Sequence, residues 1–335
     1  MITIQDWRQC GASEMSGLLS AESAIWRQQL AWNTTASWRP IEPARAAGAL
    51  PGFVAREASG RIVGWTWFLA HKGCLQIGAL IAQREHTVQA LIDAIMDSEA
   101  ARTTTACVCS VRGTPPRLIE ALERCGLRAA TYAYQIARLA PAVKPASDTG
   151  RPWQAADAPA MAELLARAYQ ETGFVRPFAP HGTSVEWRDY LHGLVETNGC
   201  GAFQPGVSVM VDGPERRLSA GLLASFVDRD VAHVSQVAVD PAGQGRGLGR
   251  RIVQQAMTTA ALFGARRMTL LVATGNVRAR SMYAKLGFVD RASFVVAGGC
   301  ALEARALTAH SLPNADQPRR STSVALATGG VSTRR

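Results

Sequence analysis

The pattern of apolar and polar positions is clearest in the second half of the chain, where it predicts a β-hairpin followed by an amphipathic helix. The segments "LSAGLLASFVD" (residues 218–228) and "VAHVSQVAVD" (231–240) are rich in strand-forming residues and are joined by a short polar turn. Beyond a glycine-rich stretch, apolar residues recur at the spacing of one helix face, at Leu248, Ile252, Val253, Ala256, Met257 and Ala260. Gly264 suits the end of that helix.

The flanking segments extend this pattern to a complete domain. A helix is predicted from Ala155 onward with Asp157 as its cap, and "RMTLLVA" (267–273) has the composition of a buried strand. A second helix, "NVRARSMYAKLGF" (276–288), begins at a capping Asn276, and "ASFVVAGG" (292–299) is the last predicted strand. The order αββαβαβ indicates an α/β fold with a mixed sheet.

The first half of the chain repeats this layout. "GRIVGWTWFLA" (60–70) and "LQIGALIA" (75–82) are predicted as a hairpin, followed by a helix over "TVQALIDAIMDSEA" (87–100). "LERCGLRAATYAYQIARL" (122–139) then has the same arrangement as "YAKLGFVDRASFVV" (283–296), with Gly126 in the place of Gly287. We therefore expect two similar α/β domains in tandem.

Composition sets the expected domain boundaries. A length of 335 residues suits about two domains. The stretch "LAPAVKPASDTGRP" (139–152) is rich in proline and small polar residues, which is typical of a linker. We predict a first domain over residues 1–140, a linker over 141–151, a second domain over 152–308 and a disordered tail over 309–335.

The formal net charge of +10 would suit a polyanionic partner. The excess is almost entirely arginine, part of it in the predicted tail, and there is no basic run with interleaved aromatic residues. Nucleic acid is therefore not expected as a partner. Neither a membrane-spanning stretch nor a signal peptide is indicated, so no membrane partner is expected and the cytoplasm is the default location. The scattered cysteines and histidines show no ligand spacing, so neither a metal site nor a structural disulfide is expected.

The segment "DPAGQGRGLGRR" (240–251) has glycine at alternate positions directly after a predicted strand. Glycine is costly in ordered structure unless the backbone needs positive φ or another group must come close. A strand, a glycine-rich turn and a helix start form an anion-binding nest, since free N–H groups and the helix dipole point into the turn. The spacing does not fit a Walker loop, which needs Gly-Lys-Ser/Thr, or a dinucleotide loop, where Arg250 replaces the third glycine.

The loop "QGRGLG" (244–249) resembles the Q/R-x-x-G-x-G/A acyl-CoA loop of the GNAT superfamily of N-acetyltransferases. The preceding "VSQVAVDP" (234–241) is similar to the central strand of that family. "NVRARSMYAKLGF" is similar to its Asn-x-x-Ala-x-x-x-Tyr-x-x-x-Gly-Phe helix. The three motifs follow one another in the order of the family, and the resemblance fades before Arg151.

The resemblance implies acetyl-CoA as co-substrate and direct transfer of its acetyl group to a primary amine of a small molecule or peptide. It also implies that Tyr283 donates a proton to the departing thiolate. The residues that it places against the cofactor are Val237, Ala238, Val239, Gln244, Gly245, Arg246, Gly247, Leu248, Gly249, Arg250 and Asn276.

The general base is left open by the sequence. No carboxylate stands on the central strand, where Ser235 and Gln236 lie near the expected reaction centre and His233 is a candidate base. Proton relay through water is the alternative to His233, and Cys200 has no activating base near it in sequence. Acidic residues before the hairpin are candidates to line the acceptor pocket, namely Glu171, Glu186, Asp189 and Glu196.

The first half has no equivalent of the glycine loop. Residues 83–87 read "QREHT", with Glu85 where a phosphate would lie, so this half is predicted to be degenerate and the whole chain to bind one acetyl-CoA. Six of its residues are tryptophans suited to the core or to an acceptor cleft: Trp7, Trp26, Trp32, Trp38, Trp65 and Trp67. A non-catalytic acyl-CoA-binding regulator is the alternative function, and the acceptor and a homodimeric state are left open.

Overall fold

The computed structural model describes residues 2–82, 84–113, 117–142, 149–170, 178–179, 181–197, 200–299, 326–327 and 330–331. One mixed β-sheet of 13 strands extends through both halves of this described chain. Its strands are β1 (Ile2–Asp6), β2 (Gly52–Glu57), β3 (Ile62–His71), β4 (Cys74–Ala82), β5 (Ala106–Arg112), β6 (Arg128–Arg138), β7 (Arg151–Pro152), β8 (Ala202–Phe203), β9 (Val209–Asp212), β10 (Leu218–Asp228), β11 (Val231–Val239), β12 (Arg267–Ala273) and β13 (Val289–Gly299). A separate short ladder joins β14 (Leu326–Ala327) to β15 (Gly330–Val331).

Helices cover both faces of the sheet. They are α1 (Ala12–Leu30), α2 (Thr35–Trp38), α3 (Ile41–Ala46), α4 (Glu85–Met96), α5 (Glu99–Arg102), α6 (Leu118–Arg124), α7 (Ala158–Gln170), α8 (Ser184–Glu196), α9 (Leu248–Leu262) and α10 (Val277–Lys285). None of these helices combines the length and the apolar character that crossing a bilayer would demand, within the part of the chain described.

The order of strands across the sheet shows that the two halves have the same topology. It is β1-β2-β3-β4-β5-β13-β6-β12-β11-β10-β9-β7, with β8 paired to β10 outside this path. The order is symmetric about the central pair β13-β6, so each strand has a counterpart at the same distance from the centre: β4 corresponds to β11 and β5 to β12. The last strands of the two halves are exchanged, because β13 lies between β5 and β6 while β6 lies between β13 and β12. The tandem fold is confirmed, and the halves share the centre of one sheet.

The central strands of the two halves share an irregularity. Residues 74–77 of β4 pair in parallel with β5, and residues 231–234 of β11 pair in parallel with β12. One extra residue follows in each case, Gly78 in β4 and Ser235 in β11, where the antiparallel register with the preceding strand shifts. A β-bulge bends its strand. Each central strand therefore separates from its parallel neighbour just after the fourth pair.

Most predicted elements are present. The hairpins, the helices after them and the strand 267–273 match the structure, and Gly126 and Gly287 have nearly the same φ, 80° and 87°. The predicted cap Asp157 is the partner in a capping box whose N-cap is Gln154. The short strands β7, β8 and β9 were not predicted. The tail prediction falls outside the described residues except at β14 and β15, and the domain boundaries stay predictions.

Separate apolar clusters lie on the two faces of the second half. On one face α9 and α10 pack over β10, β11 and β12 through residues such as Ile252, Leu222 and Val234. On the other face α7 and α8 pack over β9, β10 and β11 through residues such as Leu165 and Leu223. A third cluster joins the halves across the exchanged strands; it contains Leu30, Trp32, Tyr134, Val227, Val231, Phe294 and Val296.

Candidate active site

The separation of β11 from β12 opens a split in the sheet of the second half. Beyond Val234 the edge of β11 that faces β12 has no strand partner among the described residues, while its other edge stays paired with β10 as far as Val239. Backbone N–H and C=O groups along such an edge need partners. The split therefore presents a row of backbone hydrogen-bonding groups next to the bulge at Ser235.

A cavity of about 420 Å³ passes through this split. On one face of the sheet it is lined by the glycine loop, the start of α9 and one side of α10. On the opposite face it is lined by α7 and α8 of the second half and by residues from the first half. Val237 and Val239 line the cavity, whereas the side chain of Ala238 is buried in the cluster under α7 and α8. Two molecules that approach from opposite faces can thus meet at the split.

The loop between β11 and α9 has the backbone of an anion nest. Gly245 and Gly247 have φ of 86° and 77°, in the region that favours glycine. The first intrahelical hydrogen bond runs from Arg251 N to Gly247 O at 3.1 Å, so the amides just before Arg251 have no partner within the helix. The loop is anchored at its start by Asp240, whose carboxylate accepts from Arg167 Nε at 2.9 Å.

The third glycine has a different role from the first two. Gly249 lacks positive φ, and a Cβ there would lie 3.5 Å from Val239 Cγ2, an ordinary contact distance. Its absence of a side chain leaves the helix start close to β11 and accessible from the cavity. The backbone therefore requires glycine only at Gly245 and Gly247.

Two arginines that sequence reasoning missed flank the loop. Arg278 Nη2 lies 3.7 Å from the position of a Cβ on Gly245, and Arg251 Nη1 lies 3.7 Å from the corresponding position on Gly247. Arg278 lines the cavity, while Arg246 and Arg250 are exposed and do not. Arg278 lies two residues after the capping Asn276, and this position in the sequence could have indicated that it lies near the loop.

Helix α10 places the remaining predicted residues beside the split. Asn276 caps the helix by accepting from Ala279 N at 3.1 Å, and it lines the cavity together with Tyr283. The ring of Tyr283 is 7% exposed and packs edge-on against Phe288. Burial, with a smaller contribution from the neighbouring phenol of Tyr169, raises the pKa of Tyr283 above its ordinary value. Its hydroxyl therefore stays protonated at neutral pH.

The face opposite α10 is aromatic, and we call this part of the cavity the aromatic chamber. The first half and the exchanged strands contribute Trp26, Trp32, Tyr132, Tyr134 and Phe294. The second half contributes Tyr169, Phe178, Trp187 and Tyr190. No Asp, Glu or Lys is among the described residues that line the cavity, and its one lining arginine, Arg278, lies on the side of the glycine loop. The chamber is thus built by both halves from neutral side chains.

A few polar groups are fixed in the chamber wall. The amide of Gln236 accepts from Tyr169 Oη at 3.2 Å and donates to Tyr190 Oη at 3.1 Å. Burial raises the pKa of Tyr169 to about 12. Burial also raises the pKa of the Cys200 thiol to about 12. Cys200 is therefore a protonated thiol, which is a poor nucleophile.

His233 lies in the wall as a neutral imidazole. Its ring packs against Trp32 and Tyr134 at centroid distances of 4.8 and 6.0 Å, and Nδ1 lies 2.9 Å from Thr269 Oγ1. Because the Thr269 hydroxyl donates to Ala232 O, Nδ1 is assigned as the protonated nitrogen. Burial lowers the pKa of His233 to about 3, so its affinity for a proton at neutral pH is low.

The acidic residues expected around the acceptor lie elsewhere, which corrects that expectation. Glu186 completes the capping box of α8 and contacts His181 Nδ1 at 2.6 Å. Asp189 is half exposed and pairs with Lys72 of the first half at 2.8 Å. Glu196, at the end of α8, is exposed and is not part of the cavity lining. Glu171 lies outside the described residues.

In the first half, the space beside the bulge of the central strand β4 is occupied by a side chain. A Cβ on the bulge residue Gly78 would lie 1.8 Å from the ring of Trp67, so this indole packs directly against the bulge. Only residues 83 and 84 connect β4 to α4, against residues 240–247 between β11 and α9. Glu85 occupies the first turn of α4 and pairs with Arg117 at 3.3 Å. Trp7, Trp65 and Trp67 belong to the core of this half, whereas Trp26 and Trp32 line the chamber.

Part of the second half is similar in sequence to known acetyltransferases. Residues 159–288 match the model of the Acetyltransferase (GNAT) family. A mycothiol acetyltransferase of Beutenbergia cavernae is 33% identical over 87 residues, which are 26% of this chain and 29% of that protein. The match thus spans less than a third of the curated relative.

Two solved structures are similar in fold at low sequence identity. A GCN5-related N-acetyltransferase from Sphaerobacter thermophilus is 14% identical with a TM-score of 0.52, covering 74% of this chain and 79% of that chain. A GCN5-related glucosamine N-acetyltransferase region in a fungal multi-domain β-N-acetylglucosaminidase also shows 14% identity and a TM-score of 0.52, covering 89% of this chain and 38% of that chain.

Proposed function

We propose that the chain is an N-acetyltransferase of the GNAT superfamily and that it transfers the acetyl group of acetyl-CoA to a primary amine within a ternary complex. The observation that supports this most is the continuous cavity through the split sheet. It connects the glycine loop on one face to the aromatic chamber on the other. Direct transfer needs both substrates at one point without a covalent enzyme intermediate.

The residues on the α9 side suit acetyl-CoA. The amides of the glycine loop and of the first turn of α9 would bind the pyrophosphate, with Arg251 and Arg278 adding positive charge. The unpaired edge of β11 around Val237–Val239 would hydrogen-bond the pantetheine amides. Asn276 is the helix cap and lines the cavity, so the cap and a cofactor contact are compatible.

The chemistry follows from the groups at the split. The lone pair of a neutral amine forms the new C–N bond at the thioester carbonyl, and an amide on the edge of β11 stabilises the oxygen anion that develops. The C–S bond then breaks, Tyr283 donates its hydroxyl proton to the thiolate, and its phenolate regains a proton through water. The proton lost by the nitrogen passes to water, since the imidazole of His233 is held neutral and bonded to Thr269. Among the candidates, this geometry favours Tyr283 as the acid and disfavours His233 as the base.

The proposed function is tested with Gly247→Glu. The variant places a carboxylate in the nest and a side chain at φ 77°, so acetyl-CoA binding and thiol release with an amine panel should both fall at least about a hundredfold. Gly60→Glu is the matched control, because Gly60 has φ 82° in an exposed turn with nothing within 4 Å of a Cβ. The control should retain both activities.

Two outcomes would count against the proposal. Unchanged acetyl-CoA affinity in Gly247→Glu, measured by calorimetry on the folded variant, would remove the cofactor site from this loop. Tight acetyl-CoA binding by the wild-type chain without transfer to any amine of a broad panel would instead identify a non-catalytic acyl-CoA-binding regulator.

A further inference from the structure

We propose that the acceptor is a weakly basic amine on an aromatic, uncharged body, which the aromatic chamber binds with its nitrogen at the split. This inference rests on the proposed function and names the substrate class of the same site. It is supported by the absence of charged side chains among the described residues of the chamber, by the chemistry of its titratable groups and by the aromatic walls that both halves contribute.

The described residues of the chamber offer no counter-ion to an ammonium group. No carboxylate lines it among the described residues, and the nearby Glu22 is already bonded to Arg112 at 2.7 Å and to Trp26 Nε1 at 2.9 Å. Burying a charged amine without an ionic partner costs several kcal/mol. Aromatic faces attract cations, but an amine held as a cation has no lone pair with which to attack. Substrates whose nitrogen is protonated at neutral pH are therefore disfavoured.

Among its described residues the chamber also has no group that would deprotonate an ammonium at neutral pH. The titratable side chains that face it are His233, Cys200 and the phenols of Tyr132, Tyr134, Tyr169 and Tyr190. Burial lowers the pKa of His233 to about 3, and it raises the pKa of Cys200 and of Tyr132 to about 12. A good acceptor must therefore arrive neutral. Amines attached directly to an aromatic ring meet this condition, because the ring delocalises the nitrogen lone pair.

The walls suit a flat apolar body. Phe178 and Tyr190 stack at a centroid distance of 4.6 Å, and Trp26 lies 6.1 Å from Phe294 and 5.6 Å from Trp32 in edge-on arrangements. Trp26 lies in α1, Tyr190 in α8 and Phe294 in the exchanged strand β13. Trp32 follows α1, and Phe178 lies shortly before α8. Offset and edge-on ring contacts add to the burial of apolar area. The first half thus supplies much of the surface that an aromatic acceptor would contact.

The first experiment compares acceptors of matched shape. Wild-type protein and acetyl-CoA are assayed for thiol release with an aniline-type amine, a benzylamine-type amine with the same ring, and two polar amines, glucosamine and spermidine. The expected kcat/KM at pH 7 is at least about tenfold higher for the aniline-type amine than for any of the other three. A higher kcat/KM for any of the protonated amines would overturn the inference while leaving the proposed function intact. If the chain neither bound acetyl-CoA nor released thiol with any amine, the proposed function would fail as well.

The second experiment locates the recognition site. Phe178→Leu should raise the KM for the aniline-type amine by roughly threefold to tenfold and leave acetyl-CoA affinity unchanged, since it removes one stacking partner. Phe263→Leu is the matched control, because Phe263 is 55% exposed at the end of α9, away from the chamber. An equal KM in wild type and Phe178→Leu would place acceptor binding outside the chamber and contradict the inference.

Discussion

At the scale of single residues, Tyr283 has the properties of a proton donor. Its phenol is buried beside the split and its pKa is raised, so it carries a proton throughout the physiological range. Tyr283→Phe keeps the ring against Phe288 and removes only the hydroxyl. We expect kcat to fall by about ten- to a thousandfold with acetyl-CoA affinity unchanged, measured by steady-state kinetics and calorimetry. Wild-type turnover in the variant would limit Tyr283 to a packing role.

The burial of His233 leads to a different prediction, which concerns how the free energy of unfolding depends on pH. Burial holds its pKa at about 3 in the folded protein, whereas an imidazole in an unfolded chain has a pKa near ~6.5. The unfolded chain therefore binds the proton more tightly, and this contribution to stability is complete above pH ~6.5 and declines as the pH falls toward ~3. Below about pH 6 the wild type should lose up to about 1.4 kcal/mol more unfolding free energy per pH unit than His233→Gln.

Urea denaturation of both proteins over a range of acidic pH measures this difference. His192→Gln, at an exposed histidine of α8, controls for the effect of the substitution on the unfolded chain. Parallel pH dependence of wild type and His233→Gln would show that the imidazole is not held neutral by burial.

The candidate site residues predicted from contiguous motifs lie together along the cavity, although their roles stay predictions. Gly245, Gly247, Asn276 and Tyr283 lie within two short segments whose local spacing already fixes a loop and a helix face. Arg251 and Arg278 were missed because their proximity to the loop depends on how α9 and α10 pack. The expectation for Glu186 failed because its carboxylate is used in a local helix cap.

At the scale of elements, the helices and strands can be predicted from the spacing of apolar residues, since each is determined by residues close together in the chain. The exchange of β6 and β13 cannot be predicted in this way, because it pairs segments far apart in the chain. The bulges at Gly78 and Ser235 also escaped prediction, although they are the clearest sign that β4 and β11 are equivalent. What separates the two halves chemically is the connection after the central strand, which contains the glycine nest only in the second half.

The strand exchange predicts how separated halves should behave. A fragment of residues 1–142 lacks β13, which pairs with both β5 and β6, and it exposes the apolar residues that contact the second half. We expect this fragment alone to aggregate and to bind no acetyl-CoA. Co-expressed with residues 149–335, it should purify as a complex that binds acetyl-CoA. A soluble monomeric fragment 1–142 with a cooperative unfolding transition would contradict the structural role assigned to the exchange.

At the scale of the whole molecule, two copies of one topology share a sheet. The second half contains the glycine loop at which we propose that acetyl-CoA binds, and the first half supplies much of the aromatic chamber. The indole of Trp67 and the short connection before α4 leave the first half without the features of a cofactor site. This division of roles explains why a half with the same strands need not bind acetyl-CoA.

The most direct test of this account is the stoichiometry of acetyl-CoA binding to the intact chain. Calorimetric titration should give one acetyl-CoA per chain, because several convergent amides at a helix start are present at Gly245–Gly249 and have no counterpart in the described residues before α4. Gly247→Glu should reduce this value toward zero while Gly60→Glu keeps it near one. A stoichiometry near two per chain, or full binding retained in Gly247→Glu, would contradict the assignment of a single cofactor site to the second half.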